Sequence, residues 1–145
     1  MLKLVATGTA LGLIAFLALC VAFGGDAVGP LLLTPASMLL GGFVLLMGWL
    51  VAAYSARNLR GQRRQARYAV LLATAIGALW LMVVAEPLVL MALGWTVSGL
   101  AIAGLVAHSD TASARSASRR VAGRLLVGDV ALWTAVVLLL SAGVS

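Results

Sequence analysis

Residues 68–107 read YAVLLATAIGALWLMVVAEPLVLMALGWTVSGLAIAGLVA. The stretch is apolar throughout except at Glu86-Pro87, near its middle. One helix needs ~20 apolar residues to cross the hydrocarbon core of a bilayer. The stretch is about twice that, so it predicts two membrane helices. Pro87 marks the break, because proline disfavours helix at the residue before it and suits the first turn of a new one. Glu86 then falls at the start of the second helix, whose positive end favours a carboxylate.

Working outward, three more apolar runs cover about Leu4–Phe23, Leu31–Tyr54 and Val121–Ala142. With 68–85 and 88–107 they make five. None alternates in polarity, and all are rich in Ala and Leu, which argues against membrane strands. The predicted fold is all-α: a polytopic membrane helix bundle of about five transmembrane helices in a single domain over 1–145. Composition agrees. Hydrophobic residues make up 63 % and charged residues 10 %, against about half and a quarter in a soluble domain.

The first run has some marks of a signal peptide: Lys3 before it, and small residues around Ala22-Phe23-Gly24. Leu17-Ala18-Leu19-Cys20 loosely resembles a lipoprotein site, but Leu19 is too large for one. The run also exceeds the ~7–15 residues of a signal core, so it is read as a retained helix. Cys20 is the one cysteine, which excludes an internal disulfide or a cysteine metal cluster.

Net charge is +6, from 10 Lys and Arg against 4 Asp and Glu. These basic residues cluster between apolar runs, and no soluble basic domain exists to bind nucleic acid. The segment after run two holds Arg57, Arg60, Arg63, Arg64 and Arg67. The loop expected after run four holds Arg115, Arg119, Arg120 and Arg124 against Asp110, and Lys3 precedes run one. With five helices these segments share one side. The other side carries only Asp26 and Glu86. The positive-inside rule then places the N-terminus in the cytoplasm and the C-terminus outside. The expected location is the cell (inner or plasma) membrane, multi-pass.

Small residues recur at four-residue spacing: Gly8 and Gly12, Gly48 and Ala52, Gly94 and Ser98, Gly99 and Ala103. Such pairs let helix backbones approach closely in lipid. The two overlapping pairs in helix four favour packing contacts. Trp49, Trp80 and Trp95 are expected to fill space between helices.

Few side chains can do chemistry. Asp129 lies about eight residues into a helix that starts near Val121, or ~12 Å along its axis. A carboxylate at that depth is a functional candidate. With a start near Leu125, Asp129 would instead lie near the interface and pair with Arg124 or Arg120. Thr96 sits mid-way in helix four; it belongs to a polar path or bonds its own helix backbone. His108, at the end of that helix, is a proton relay or a solvated end residue. Glu86 is the mouth of an ion path or a helix-start residue. The four proton-path candidates are therefore Asp129, Thr96, Glu86 and His108. No metal-ligand cluster, phosphate loop or nucleophile triad is found, so no catalytic site, metal or cofactor is expected within the chain.

Several stretches resemble a known family in order and spacing. Gly48-Trp49, Tyr54-Ser55, Leu59-Arg60-Gly61 and Arg67-Tyr68 resemble the region after an early helix of antiporter-like membrane subunits. These include the largest such subunit of respiratory complex I, cation/proton antiporter subunits, and the membrane subunit of two-component inorganic-carbon transporters. Ala85-Glu86-Pro87-Leu88 through Leu93-Gly94-Trp95-Thr96-Val97-Ser98-Gly99-Leu100 resembles their Ala-Asp-Asn-Leu … Gly-Trp-Glu-x-x-x-Leu pattern. Ala114 to Arg120, then Val127-Gly128-Asp129, resembles their basic loop and following Val-Gly-Asp.

The resemblance implies proton translocation coupled to other membrane or peripheral subunits. Asp129 matches the family aspartate near the proton path. Proton-pumping members carry glutamate where this chain has Thr96, which inclines the resemblance toward the inorganic-carbon branch over the NADH-quinone oxidoreductase. In the latter the redox cofactors lie in other subunits. Family members run to a dozen or more helices, so the chain is expected to be the N-terminal portion of a longer subunit. The alternative is a small non-transporting membrane scaffold or assembly protein. A membrane enzyme is a weaker third, given the scarcity of ionisable residues.

Overall fold

A computed structural model describes residues 2–23, 27–28, 31–32, 34–59, 65–109 and 111–143. Five helices follow one another: α1 (Leu2–Phe23), α2 (Pro35–Asn58), α3 (Gln65–Val84), α4 (Leu88–Val106) and α5 (Ala112–Ser141). A two-residue antiparallel ladder, Ala27–Val28 on Leu31–Leu32, joins α1 to α2. A 3₁₀ turn over Ala107–Ser109 joins α4 to α5.

Four helices, α2 to α5, are long and apolar enough to cross a membrane. The 22-residue α1 is apolar over Leu2–Ala18. A helix satisfies its own backbone polar groups, as a lipid-embedded segment must. Large apolar side chains point outward along the bundle, Leu4 at 73 %, Leu39 at 77 % and Val127 at 74 % exposure. In water such a surface would drive association; in lipid it is the natural exterior. The chain is a multi-pass membrane protein, an all-α helix bundle.

Packing is sequential, each helix lying chiefly on its neighbours in the chain. Leu2 and Phe16 of α1, Leu45 and Ala52 of α2, and Leu72 and Ile76 of α3 form the core. α4 lies on α3, and α5 lies on α4 at the edge of the bundle. Of α5, only Val136 is buried.

Two helix starts differ clearly from expectation. α2 starts at Pro35, not Leu31. Thr34 is held extended ahead of Pro35, and its side chain accepts from Ser37 N as the N-cap. α5 starts at Ala112, not Val121. The arginines expected in a loop lie on its first turns, with Thr111 capping through Ala114 N. Ala, Ser and Arg continue a helix readily once it is nucleated. α4 starts at Leu88 as expected, with Pro87 as its N-cap and Glu86 just outside the helix.

The glycine pairs divide. A Cβ on Gly8 or Gly12 would meet nothing, so that pair makes no close contact. At Gly94 a Cβ would lie 2.7 Å from Ala78 O and 2.9 Å from Met82 N. There the α3 and α4 backbones touch, and no side chain fits between them. Ser98, Gly99 and Ala103 are buried on the same helix. Trp49 and Trp95 turn outward at 38 % and 44 % exposure rather than filling the bundle. Trp80 does pack inside, edge-on to Phe16 at 5.7 Å.

Candidate functional site

α5 runs antiparallel to α4, and three contacts fix its register. Ser118 Oγ donates to Ala103 O at 2.8 Å. The Leu125 side chain lies against Gly99. Trp133 Nε1 donates to Thr96 Oγ1 at 3.1 Å. At 3.6 residues per turn, Ser118, Leu125, Trp133 and Val136 fall on one stripe of α5. Asp129 falls on that same stripe, about 20° from Ser118 around the axis.

Asp129 therefore faces α4, one turn from Trp133. Its Oδ1 is buried with no hydrogen-bond partner. It lies five residues beyond Arg124, the last arginine of α5, or ~7.5 Å deeper along the axis. Arg120 and Arg124 point to the far side of the helix, so the pairing entertained from sequence is not made through the buried oxygen. A buried carboxylate oxygen without a donor is costly in an apolar medium. Thr96 bonds across to α5 rather than to its own helix backbone. Ser98 does bond its own helix, donating to Trp95 O at 2.8 Å.

Because membrane-spanning hydrogen bonds between helices average only ~0.6 kcal/mol, Trp133→Phe is expected to cost less than about 1 kcal/mol. It should leave the bundle folded while loosening α5. Cross-linking of cysteine pairs across α4 and α5 measures this, and unchanged yields would show that the Thr96 bond does not set the register.

At the basic end lies a second polar group that sequence reasoning did not assemble. Ser55 Oγ and Tyr68 Oη hydrogen-bond at 3.0 Å, tying the end of α2 to the start of α3. The Tyr68 ring packs on the His108 ring at 5.1 Å and 66°. His108 Nδ1 is buried without a partner. His108 is thus half-buried, with its ring packed on Tyr68. Tyr68→Phe removes the one hydrogen bond and should destabilise by about 0.5–1.5 kcal/mol in thermal unfolding. A variant as stable as wild type would show that ring packing alone holds this corner.

Glu86 and His108 bracket α4, 22 residues or ~33 Å apart. Thr96 and Asp129 lie between, ~15 Å from the one and ~18 Å from the other. The four path candidates thus occupy three separate depths, and only Thr96 and Asp129 share a level. Among the described residues, no group of three His, Cys, Asp or Glu side chains could hold a metal ion.

The basic residues gather at one end of the bundle. Lys3 opens α1, Arg57 closes α2 and Arg67 opens α3. Arg115, Arg119, Arg120 and Arg124 ride on the first half of α5 and are exposed. Arg60, Arg63 and Arg64 lie outside the described residues, as do Asp26 and Asp110. Compared with known proteins, the chain matches no family model, no curated sequence and no solved structure.

Trp133 was not singled out from sequence. Its signal was available: one turn from an apolar-embedded aspartate on a helix, an indole N–H shares the carboxylate's face.

Proposed function

We propose that the chain is a membrane subunit of a proton-translocating, antiporter-like transporter, with Asp129 as the residue that takes up and passes on the proton. The observation carrying this is the buried, unpartnered Oδ1 of Asp129, set below the arginine layer and turned toward α4. Thr96 and Trp133 hold the two helices in that register. The ordered motifs from Gly48 to Asp129 support the family, and Thr96 in place of a glutamate favours the inorganic-carbon branch. The basic end faces the cytoplasm with the N-terminus, in the cell (inner or plasma) membrane. Lipid and further membrane or peripheral subunits are the partners.

One observation favours a second reading, a non-transporting scaffold. The candidate groups stand ~15–18 Å apart along α4, too far for direct proton transfer without groups from elsewhere. Asp129→Asn separates the two. Under the transport reading, proton uptake in vesicles collapses while assembly persists; under the scaffold reading, partner activity survives.

A further inference from the structure

The first half of α5 carries four arginines, and the proposed transport role uses none of them. Ser118 and Leu125 fix the inner face of this helix on α4. Measured around the axis from Ser118, Arg120 and Arg124 stand at about 200° and 240°, on the outward face. Both are exposed. With Ala117 and Val121 they line a cleft of about 310 Å³. The one acid of α5, Asp129, is on the opposite side, so no carboxylate of this helix competes for them.

Below the arginines the outward face turns apolar. Val127 is 74 % exposed, and Ala131 is exposed one turn further on. Thr134 follows, with its hydroxyl already donating to Val130 O at 2.7 Å. From Arg124 to Thr134 is ~15 Å along the axis, half the ~30 Å hydrocarbon thickness of a bilayer. The face is cationic at its head and apolar for the depth of one leaflet. That is the charge and length profile of a single phospholipid.

We propose that this face seats one anionic phospholipid, with its phosphate between Arg120 and Arg124 and an acyl chain along Val127, Ala131 and Thr134. Two guanidinium forks one turn apart match the oxygens of one phosphate. The apolar strip commits the site to a lipid over a free anion. The site does not depend on Asp129 or on which side of the membrane the basic end faces.

Native mass spectrometry of the full chain, titrated with phosphatidylglycerol or phosphatidylcholine of identical acyl chains, tests this. Wild type should retain phosphatidylglycerol with a preference of roughly tenfold or more, given two near-surface cations. Arg120→Gln with Arg124→Gln should reduce the preference to about twofold or less. Arg67→Gln with Arg119→Gln removes the same charge from other faces and should leave it unchanged. Excess glycerol phosphate should not displace the lipid. Preference persisting in the Arg120/Arg124 variant, equal loss in the control, or displacement by glycerol phosphate would each overturn the site. All four substitutions are at exposed positions, so both variants keep the fold.

Discussion

Asp129→Asn should abolish proton translocation while leaving the helix bundle intact. Asparagine keeps the shape of the side chain and its place on the α4-facing stripe, but it has no carboxyl proton to pass on. A positioned proton-transfer group contributes about 10²–10⁴-fold to the rate of the step it serves. Proton uptake by vesicles carrying the variant should fall by at least ~10²-fold, to background. Stability should hold or rise, because a neutral amide is cheaper to bury than a carboxylate with an unpartnered oxygen. The informative measurement pairs proton uptake with thermal unfolding of the same preparation. Loss of transport with an unchanged melting profile assigns the carboxylate to the path. Wild-type transport in a folded variant sinks the transport reading and leaves the scaffold reading in place. Loss of both would show that Asp129 serves the packing of α5, and Asp129→Glu, which keeps the titrating group, would then fail to restore transport.

Much of the fold was legible because lipid imposes a simple rule, that each crossing needs a continuous apolar run of about one helix. The Glu86-Pro87 break alone divided residues 68–107 into α3 and α4. Boundaries were less legible where composition and helicity part company. Arg115 to Arg124 are polar enough to look like a loop, yet nothing in Ala-Ser-Arg breaks a helix, so α5 extends about two and a half turns beyond its apolar run. Leu31 and Leu32 are apolar enough to look like helix, yet Pro35 holds Thr34 extended and the helix starts only at Pro35. The site was legible in part. Asp129 and Thr96 could be picked as polar residues in apolar runs, but their shared level depends on the antiparallel register of α4 and α5. Spacing within one helix carries no information about that register. The Ser55–Tyr68–His108 corner was hidden for the same reason, since its members come from α2, α3 and the turn after α4. The glycine pairs show the limit most clearly: Gly8 and Gly94 belong to the same four-residue pattern, but only Gly94 meets a backbone.

That difference yields a sharp test of the bundle itself. Gly94→Ala is expected to separate α3 from α4, because the added methyl would sit 2.7 Å from Ala78 O, 2.9 Å from Met82 N and 3.0 Å from Met82 Cβ. Two of these atoms belong to a helix backbone and cannot swing aside as a side chain can. The helices have to part by several tenths of an ångström, and overpacking of this kind costs about 1–3 kcal/mol. Alanine's better helix propensity offsets at most ~1 kcal/mol of that. Gly77→Ala supplies the control: its methyl meets nothing within 4 Å, so only the propensity gain remains and the variant should melt at or above wild type. Gly99→Ala falls between, since the atom it approaches, at 3.3 Å, is the end of the Leu125 side chain, which can rotate. The order of thermal stability in detergent should therefore be Gly77→Ala highest, Gly99→Ala next and Gly94→Ala lowest. Equal melting of the three would mean that α3 and α4 are not in backbone contact. The level that Thr96 shares with Asp129 is set by the α4–α5 contacts at Ser118, Leu125 and Trp133, so that site would keep its frame.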